Sequence, residues 1–409
     1  MHSVTLSAEI QQQNRNHLTG DVRLNAYSMW SDISHLKPDW EQLLAKTDQT
    51  SIFSTWEWLS TWWQAYGSPN KALIIALYSG SDLIGIVPLY HNRRRIIAGA
   101  ELRVMSLIGD GSEDSCNLDI IARSGCEARI VERVLHYLLV EFHDWDIFEL
   151  NTMPMHSPVA KCFVSQLRQR RMSYRVTSRD SCQVELPKTW EMYLAQLSKR
   201  ERANLRQQRR HLERHYRVRS YRCDTVTQLE SCLEKLFALH QQRWKLRGDP
   251  GCFSSQSRRL FYYKMASAFL HRGWLEFWLL DLDEITVACD FNFRYGSTTY
   301  ALQAGFDPAY ASESVGFLLK GFMLEQLIVE GVRHYDFLTG LSENKKRWCA
   351  QPKTCLDIQM AKPFGKGSLY LFGEKSKERG NQWLRMHCHK SAWNLLKVGK
   401  VLLRAGLLV

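Results

Sequence analysis

The sequence predicts a mixed α/β protein built from two copies of one module, and three observations carry that reading. At 409 residues the chain is too long for one ordinary core. Apolar residues make up 45% and charged residues 23%, an ordinary globular balance. Two segments, LYSGSDLIGIVPLYH near residue 80 and LLDLDEITVACDFNFR near residue 282, both read strand–turn–strand with helices at similar spacing around them. Strands adjacent in sequence and flanked by helices point to mixed sheets rather than a doubly wound parallel one.

Taken in order, residues 1–25 are polar and expected to be flexible, and a first module runs over 26–180. Within it Phe53-Ser-Thr-Trp56-Glu-Trp58-Leu59 opens a helix, with Ser54 as the expected cap and Gly67 as the stop. The hairpin around residues 72–91 follows. Pro88 in its second strand lacks a ladder donor and marks an edge or a bulge. LRVMSLIG and NLDIIA add strands, a helix spans about 125–142, and WDIFELN is a further strand.

The second module covers 181–365. It has a helix at 253–272 closed by Gly273, strands WLEFWLL, TVACDFNFRYG and TTYALQAGF, a helix at 314–330 closed by Gly331, and the strand RHYDFL. Residues 366–409 form a C-terminal helical extension, and GKGS at 365–368 reads as the turn before it. In WNLLKVGKVLLRAGLLV, Lys397, Lys400 and Arg404 share one narrow face. Such a helix docks on the body of the protein or lies on an anionic membrane.

The net charge of +12 favours anionic partners: nucleic acid, phosphorylated cofactors, acidic glycans or lipid head groups. Ten of the 24 residues from Lys199 to Arg222 are Lys or Arg, in a helix opened by a capping box of Ser198 and Glu201. This run reads first as a solvated helix face. A basic groove toward an anionic substrate stays open.

The 11 cysteines show no CxxC pair and read as reduced thiols of a cytosolic protein. His387-Cys388-His389 is the one dense His/Cys group. Without a fourth ligand nearby it reads as helix residues rather than a metal site. No signal peptide or bilayer-length apolar run is seen, so a cytoplasmic protein is expected, at most peripheral to the inner face of a membrane. GxSxG, HExxH, a full phosphate loop and GxGxxG are all missing.

The chemistry therefore concentrates around the second module. The helix at 314–330 opens at SESVGF, where Ser312 or Ser314 can cap it and Gly316 allows close approach to its first N–H groups, a seat for phosphate. After the next strand come Lys345, Lys346 and Arg347, cations able to fold back over the same edge. Trp348 then offers an apolar plate or a core anchor.

The order F.LH..RW...G..GCF, YALQAGFDPAYAS.SVGFLL, G...YDFLTG....KKRW, with F.T.EWL..WW..YG and LIGDGSEDSCNLDIIA before it, resembles the CelD/BcsL-type acyltransferases of the GNAT superfamily, tied by name to cellulose and exopolysaccharide synthesis. The resemblance covers roughly residues 30–365. It implies two tandem GNAT-like domains, as in the Fem-type aminoacyltransferases of peptidoglycan synthesis, which use aminoacyl-tRNA. Where such proteins show a small residue-Pro-Gly this chain has Ser314-Val315-Gly316, and where they show Tyr before the motif lysine it has Asn344.

The implied activity is acyl transfer from acyl-CoA, with no metal, to an amine or hydroxyl of a saccharide or amino-sugar acceptor. Ser314, Val315, Gly316, Lys345 and Arg347 would then hold the CoA diphosphate. His240 and Asp290 are the candidate bases. Trp244, Gln303, Asp307 and Trp348 would line the acceptor side, Gln303 and Asp307 also being ordinary turn-shaping residues. The rival readings are an aminoacyl-tRNA-dependent transferase or nucleic-acid binder led by the basic helix, and a non-catalytic scaffold.

Overall fold

A computed structural model describes residues 22–47, 51–96, 99–246 and 248–387. The C-terminal segment from 388, with two of the three residues of the His-Cys-His group and the amphipathic stretch, lies outside the described residues, as do residues 1–21; Val22–Asn25, expected in the flexible start, instead open a strand that pairs with Ser79–Ala76.

Thirteen strands form one sheet in the order β1-β2-β3-β4-β6-β13-β7-β12-β11-β10-β9-β8, with β5 beside β3. The first half contributes β1 (Val22–Tyr27), β2 (Lys71–Ser79), β3 (Asp82–Arg95), β4 (Glu101–Leu107), β5 (Ile121–Ala122) and β6 (Ile147–Pro154). Its helices are α1 (Lys37–Leu44), α2 (Trp56–Tyr66), α3 (Glu127–His136) and α4 (Pro158–Gln169). Next come β7 (Ser173–Glu185), α5 (Trp190–Gln196), α6 (Lys199–His215), β8 (Val218–Arg222), α7 (Val226–Lys245) and α8 (Gln256–His271). The second half then runs β9 (Leu275–Leu282), β10 (Ile285–Tyr295), β11 (Thr298–Phe306), α9 (Val315–Val329), β12 (His334–Thr339), α10 (Glu343–Lys346), β13 (Gln351–Ala361) and α11 (Lys366–His387).

Read outward from its centre, the strand order repeats: β6-β4-β3-β2-β1 on one side matches β12-β11-β10-β9-β8 on the other. Each half has one parallel contact, β4 with β6 and β11 with β12, and each covers just three residue pairs. Each half also places a non-glycine residue at positive φ in the strand after that contact, Thr152 at 57° and Leu338 at 59°. This is the two-module mixed fold expected, with one addition. The last strand of each half lies in the other: β7 pairs with β12, and β13 pairs with β6. The seam expected near residue 180 falls inside β7.

Several local expectations change. Thr55, not Ser54, caps α2, accepting from the Trp58 N–H at 3.3 Å. Pro88 sits in an interior strand. Its own position faces the gap between the β3–β5 pairing (Gly85, Ile86) and the β3–β4 pairing, which starts at Leu89, so the missing donor costs no ladder bond. NLDIIA yields two strand residues. The loop before them, with positive φ at Glu113 and Asn117, is held by the second half instead. Helix 125–142 ends as α-helix at His136 and finishes in a single π turn over Tyr137–Glu141.

That hold is the join between halves. Asp114, its side chain fully buried, accepts from Arg258 at 2.7 Å, from Tyr262 at 3.1 Å and from Tyr66 at 3.4 Å. Aromatic rings surround it: Phe53 packs edge-on to Tyr300 at 5.5 Å and Trp58 edge-on to Phe261 at 5.2 Å. One apolar core thus runs continuously under both halves, while a second, built on α5, α6 and α9, covers the other face of the second half. The ten described cysteines are free thiols. Among the described residues there is no cluster that could hold a metal ion, and no helix long and apolar enough to cross a membrane.

Candidate active site

β11 and β12 pair only from Thr298 with His334 to Tyr300 with Asp336, then part. β11 gains an extra residue there: its register with β10 moves from Ala301–Asn292 to Gln303–Phe291, leaving Leu302 as a bulge. β12 bends through Leu338, whose N–H is taken by the Asp336 carboxylate at 2.8 Å. Between the diverging strands lies a cavity of about 280 Å³. Its lining brings together Asp290, Ser314, Val315, Gly316, Arg347 and Trp348, six of the residues singled out from sequence.

The start of α9 forms one wall. Ser314 takes the left-handed conformation (φ 55°) and makes no side-chain cap, contrary to the capping role expected of it. The first N–H groups of a helix have no partner within it, and here Ser314, Val315 and Gly316 line the cavity. A Cβ at 316 would meet Phe306 no closer than 3.7 Å, so packing does not require glycine there. Gly305 differs: a Cβ would come within 2.8 Å of the His240 backbone nitrogen, because α7 crosses β11 at backbone contact.

Asp290 projects from β10 into the cavity, 4% exposed, and pairs with Lys320 at 2.6 Å. Lys320 also donates to the Tyr335 hydroxyl, which in turn donates to Asn292 Oδ1 at 2.8 Å. Burial drives the Tyr335 phenol well above its ordinary range, so it stays protonated. Sequence reasoning missed Lys320. Its signal was a single cation in the apolar run VGFLLKGFMLEQLIV, where nothing but a buried partner justifies a charge.

The expected diphosphate clamp is rearranged. Lys345 lies outside the cavity lining. Its ammonium donates to the carbonyls of Phe337 (2.8 Å), Thr339 (2.6 Å) and Gly340 (3.0 Å). It thereby caps the bent end of β12 with its three donors, and burial lowers its pKa. Arg347 does reach the cavity, but it pairs with Glu201 at 2.8 Å and stacks over Phe317 at 4.4 Å. Glu201 is thereby withdrawn from the reciprocal half of the capping box, while Ser198 still accepts from its N–H at 3.1 Å. Asn344 lines the wall beside Arg347. Trp348 is both plate and anchor: it lines the cavity, is 2% exposed and lies 4.7 Å from Phe317.

Four other expected residues are engaged elsewhere. His240 lies across β11 from the cavity, where its Nε2 accepts from Trp244 Nε1 at 2.8 Å and Cys252 Sγ lies at 3.5 Å. The lone pair a base would need is therefore occupied, and Trp244 is held by the same bond. Gln303 shares the face of its register partner Phe291, opposite Asp290. Asp307 accepts from the Ala309 N–H at 2.9 Å and shapes its own turn.

Burial first, then the cations of Arg243 and Arg258, pull His240 down to about 4. A folded-state value below the unfolded value of about 6.5 means that the unfolded chain binds the proton first. Stability is therefore full above pH 6.5 and falls as pH drops toward 4. Melting curves should show a loss on the order of 2 kcal/mol over that interval that flattens in His240→Gln, whereas an unchanged slope would remove His240 as its source.

Glu149, on β6 at the end of its pairing with β4, holds Arg94 in two bonds of 2.6 and 2.8 Å and accepts from Gln359 at 2.6 Å. Asn151 donates to Asp110 at 2.8 Å in the same place.

Comparison with known proteins agrees with this geometry. Residues 199–346 match the family model for an acetyltransferase (GNAT) domain. No curated protein matches the chain by sequence. Among solved structures, FemX is similar at 10% identity with a TM-score of 0.57, over 81% of this chain and 96% of that one. A conserved protein of unknown function from Bacteroides thetaiotaomicron is similar at 11% identity and a TM-score of 0.51, over 83% of this chain and all of that one. At these identities the likeness concerns the fold. The chain carries a GNAT-fold acetyltransferase domain over residues 199–346 and is an acyltransferase.

Proposed function

We propose that the protein moves an acyl group from acyl-CoA to an amine or hydroxyl of a saccharide or amino-sugar intermediate of cell-envelope or exopolysaccharide assembly. The observation that carries this reading is the uncapped N-terminus of α9 opening into a cavity between parting parallel strands, with the Asp290–Lys320 pair inside. The N–H groups of Val315 and Gly316 would take the diphosphate, with Arg347 beside them. The thioester is already activated, so positioning and a polarised carbonyl carry most of the rate. The unpaired inner edge of β11 beyond the bulge offers the N–H groups for that.

As the acceptor attacks the carbonyl carbon and the C–S bond breaks, its proton passes to Asp290 and Lys320 protonates the departing thiolate. Transfer from Asp290 to Lys320 restores the pair. The saccharide acceptor rests on the resemblance in sequence.

Gly316→Asp tests the donor site. A carboxylate in the first turn stabilises the helix itself yet repels a diphosphate, so CoA affinity in calorimetry should fall tenfold or more with no loss of melting temperature. Gly316→Ala should bind within about twofold of the native chain, since its Cβ has room. Equal CoA binding by the Asp variant would overturn the assignment.

A second reading, an aminoacyl-tRNA donor, is favoured by α6. Arg206, Arg210 and Arg214 are exposed along it, and it joins the cavity wall through Glu201 and Arg347. A salt-sensitive tRNA shift lost on charge reversal of Arg206, Arg209 and Arg210, with no CoA binding by the native chain, would select that reading instead.

A further inference from the structure

The inner stretch of β7 is paired on one side only. Residues 173–183 pair with β13, but β12 reaches only Ser181–Glu185 on the other side, followed by one bond from the Gly340 N–H to the Asp180 carbonyl at 2.8 Å. Over Tyr174–Ser178 the outer edge has no strand partner among the described residues. Antiparallel strands point alternate N–H and C=O groups to their two sides, so about half of the backbone groups here face outward.

This edge is the floor of a cavity of about 970 Å³, walled by Val164 and Arg168 of α4 on one side and by Lys375 and Arg379 of α11 on the other. The cavity thus lies along the free edge of β7, between the two helices. We infer that it docks an extended, acidic peptide segment of a partner by strand addition to β7.

Charge and pattern choose the occupant. Arg168, Arg175, Lys375 and Arg379 line the cavity, and its one acid, Glu378, is paired with Arg175. A second copy of this chain would bring the same cations to the same edge, and like charges facing across strands repel. Val176, 38% exposed, and Val164 give apolar ground to alternate side chains. A peptide alternating acidic and apolar residues matches both, whereas a phosphate-bearing ligand would use the cations and leave the backbone edge unpaired.

The test uses the full chain and a fluorescein-labelled peptide of alternating valine and glutamate, read by anisotropy at low salt and by amide hydrogen exchange. Binding should slow exchange within residues 173–178. Affinity should fall tenfold or more for the same peptide N-methylated at alternate amides, which keeps its charge but cannot add as a strand. A similar loss is expected with Arg168→Glu and Arg379→Glu together, both exposed positions, whose unchanged CoA binding would report an intact fold. No binding by the native chain, equal binding of the N-methylated peptide, or displacement by a single-stranded DNA oligonucleotide that leaves exchange at 173–178 unprotected would each overturn the proposal.

Discussion

Asp290→Asn should lower turnover by about 10²–10³-fold while leaving CoA affinity within a factor of about two, because it removes a proton acceptor and keeps the shape of the cavity wall. Lys320→Met should do more damage to the fold than to binding. It strands a carboxylate that is 4% exposed, and an uncompensated buried charge costs about 3–5 kcal/mol. The double variant Asp290→Asn, Lys320→Met should recover most of that stability and none of the activity. This pattern separates a catalytic pair from a structural one: if Asp290→Asn alone keeps native turnover, the pair only holds β10 to α9. The Tyr335 hydroxyl, which bridges Lys320 to Asn292, makes the coupling testable by a third deletion, Tyr335→Phe.

Arg258→Ala should be the most destabilising single change at the join between halves, by about 3–5 kcal/mol, since Asp114 would keep its burial and lose its cation. Burial pushes the Asp114 carboxyl up and Arg258 pulls it back, so without the guanidinium the carboxyl should titrate higher still. A raised folded-state value means that stability is gained as the group protonates and is lost as pH rises through that value. The variant should therefore be relatively less impaired at pH 5 than at pH 8 in denaturant melts. Asp114→Asn with Arg258→Met should restore much of the loss. Equal destabilisation at both pH values would assign the effect to lost packing of the arginine stem.

Much of this architecture was legible in the residues. Alternating apolar runs, a turn within residues 281–284 and the closing Gly273 and Gly331 are local signals, and both glycines as well as Asp283 and Glu284 in that turn adopt positive φ. The cavity was legible in part for the same reason. Ser314-Val315-Gly316 stand at a helix start, where local pattern says what faces a strand's edge, and Asp290 is a charge set mid-strand in an apolar run. What failed was long-range. Lys345 read as a free cation because three carbonyls gathered by a bend at Leu338 leave no trace in spacing. His240 read as a base because its bond to Trp244, one helical turn on, is indistinguishable in sequence from a shared face. Lys320 was passed over because its partner lies thirty residues upstream on another element.

The exchanged end strands bear on how the chain comes to be folded at all. During synthesis the first half emerges with the flank of β6 bare, and its partner β13 is made some two hundred residues later. The first half therefore cannot close before β13 has been made, and it must keep an aggregation-prone edge shielded meanwhile. Pairings at such sequence separation also slow the search for the native state. A break anywhere before residue 361 leaves both halves open, so the two modules are inherited, made and lost together.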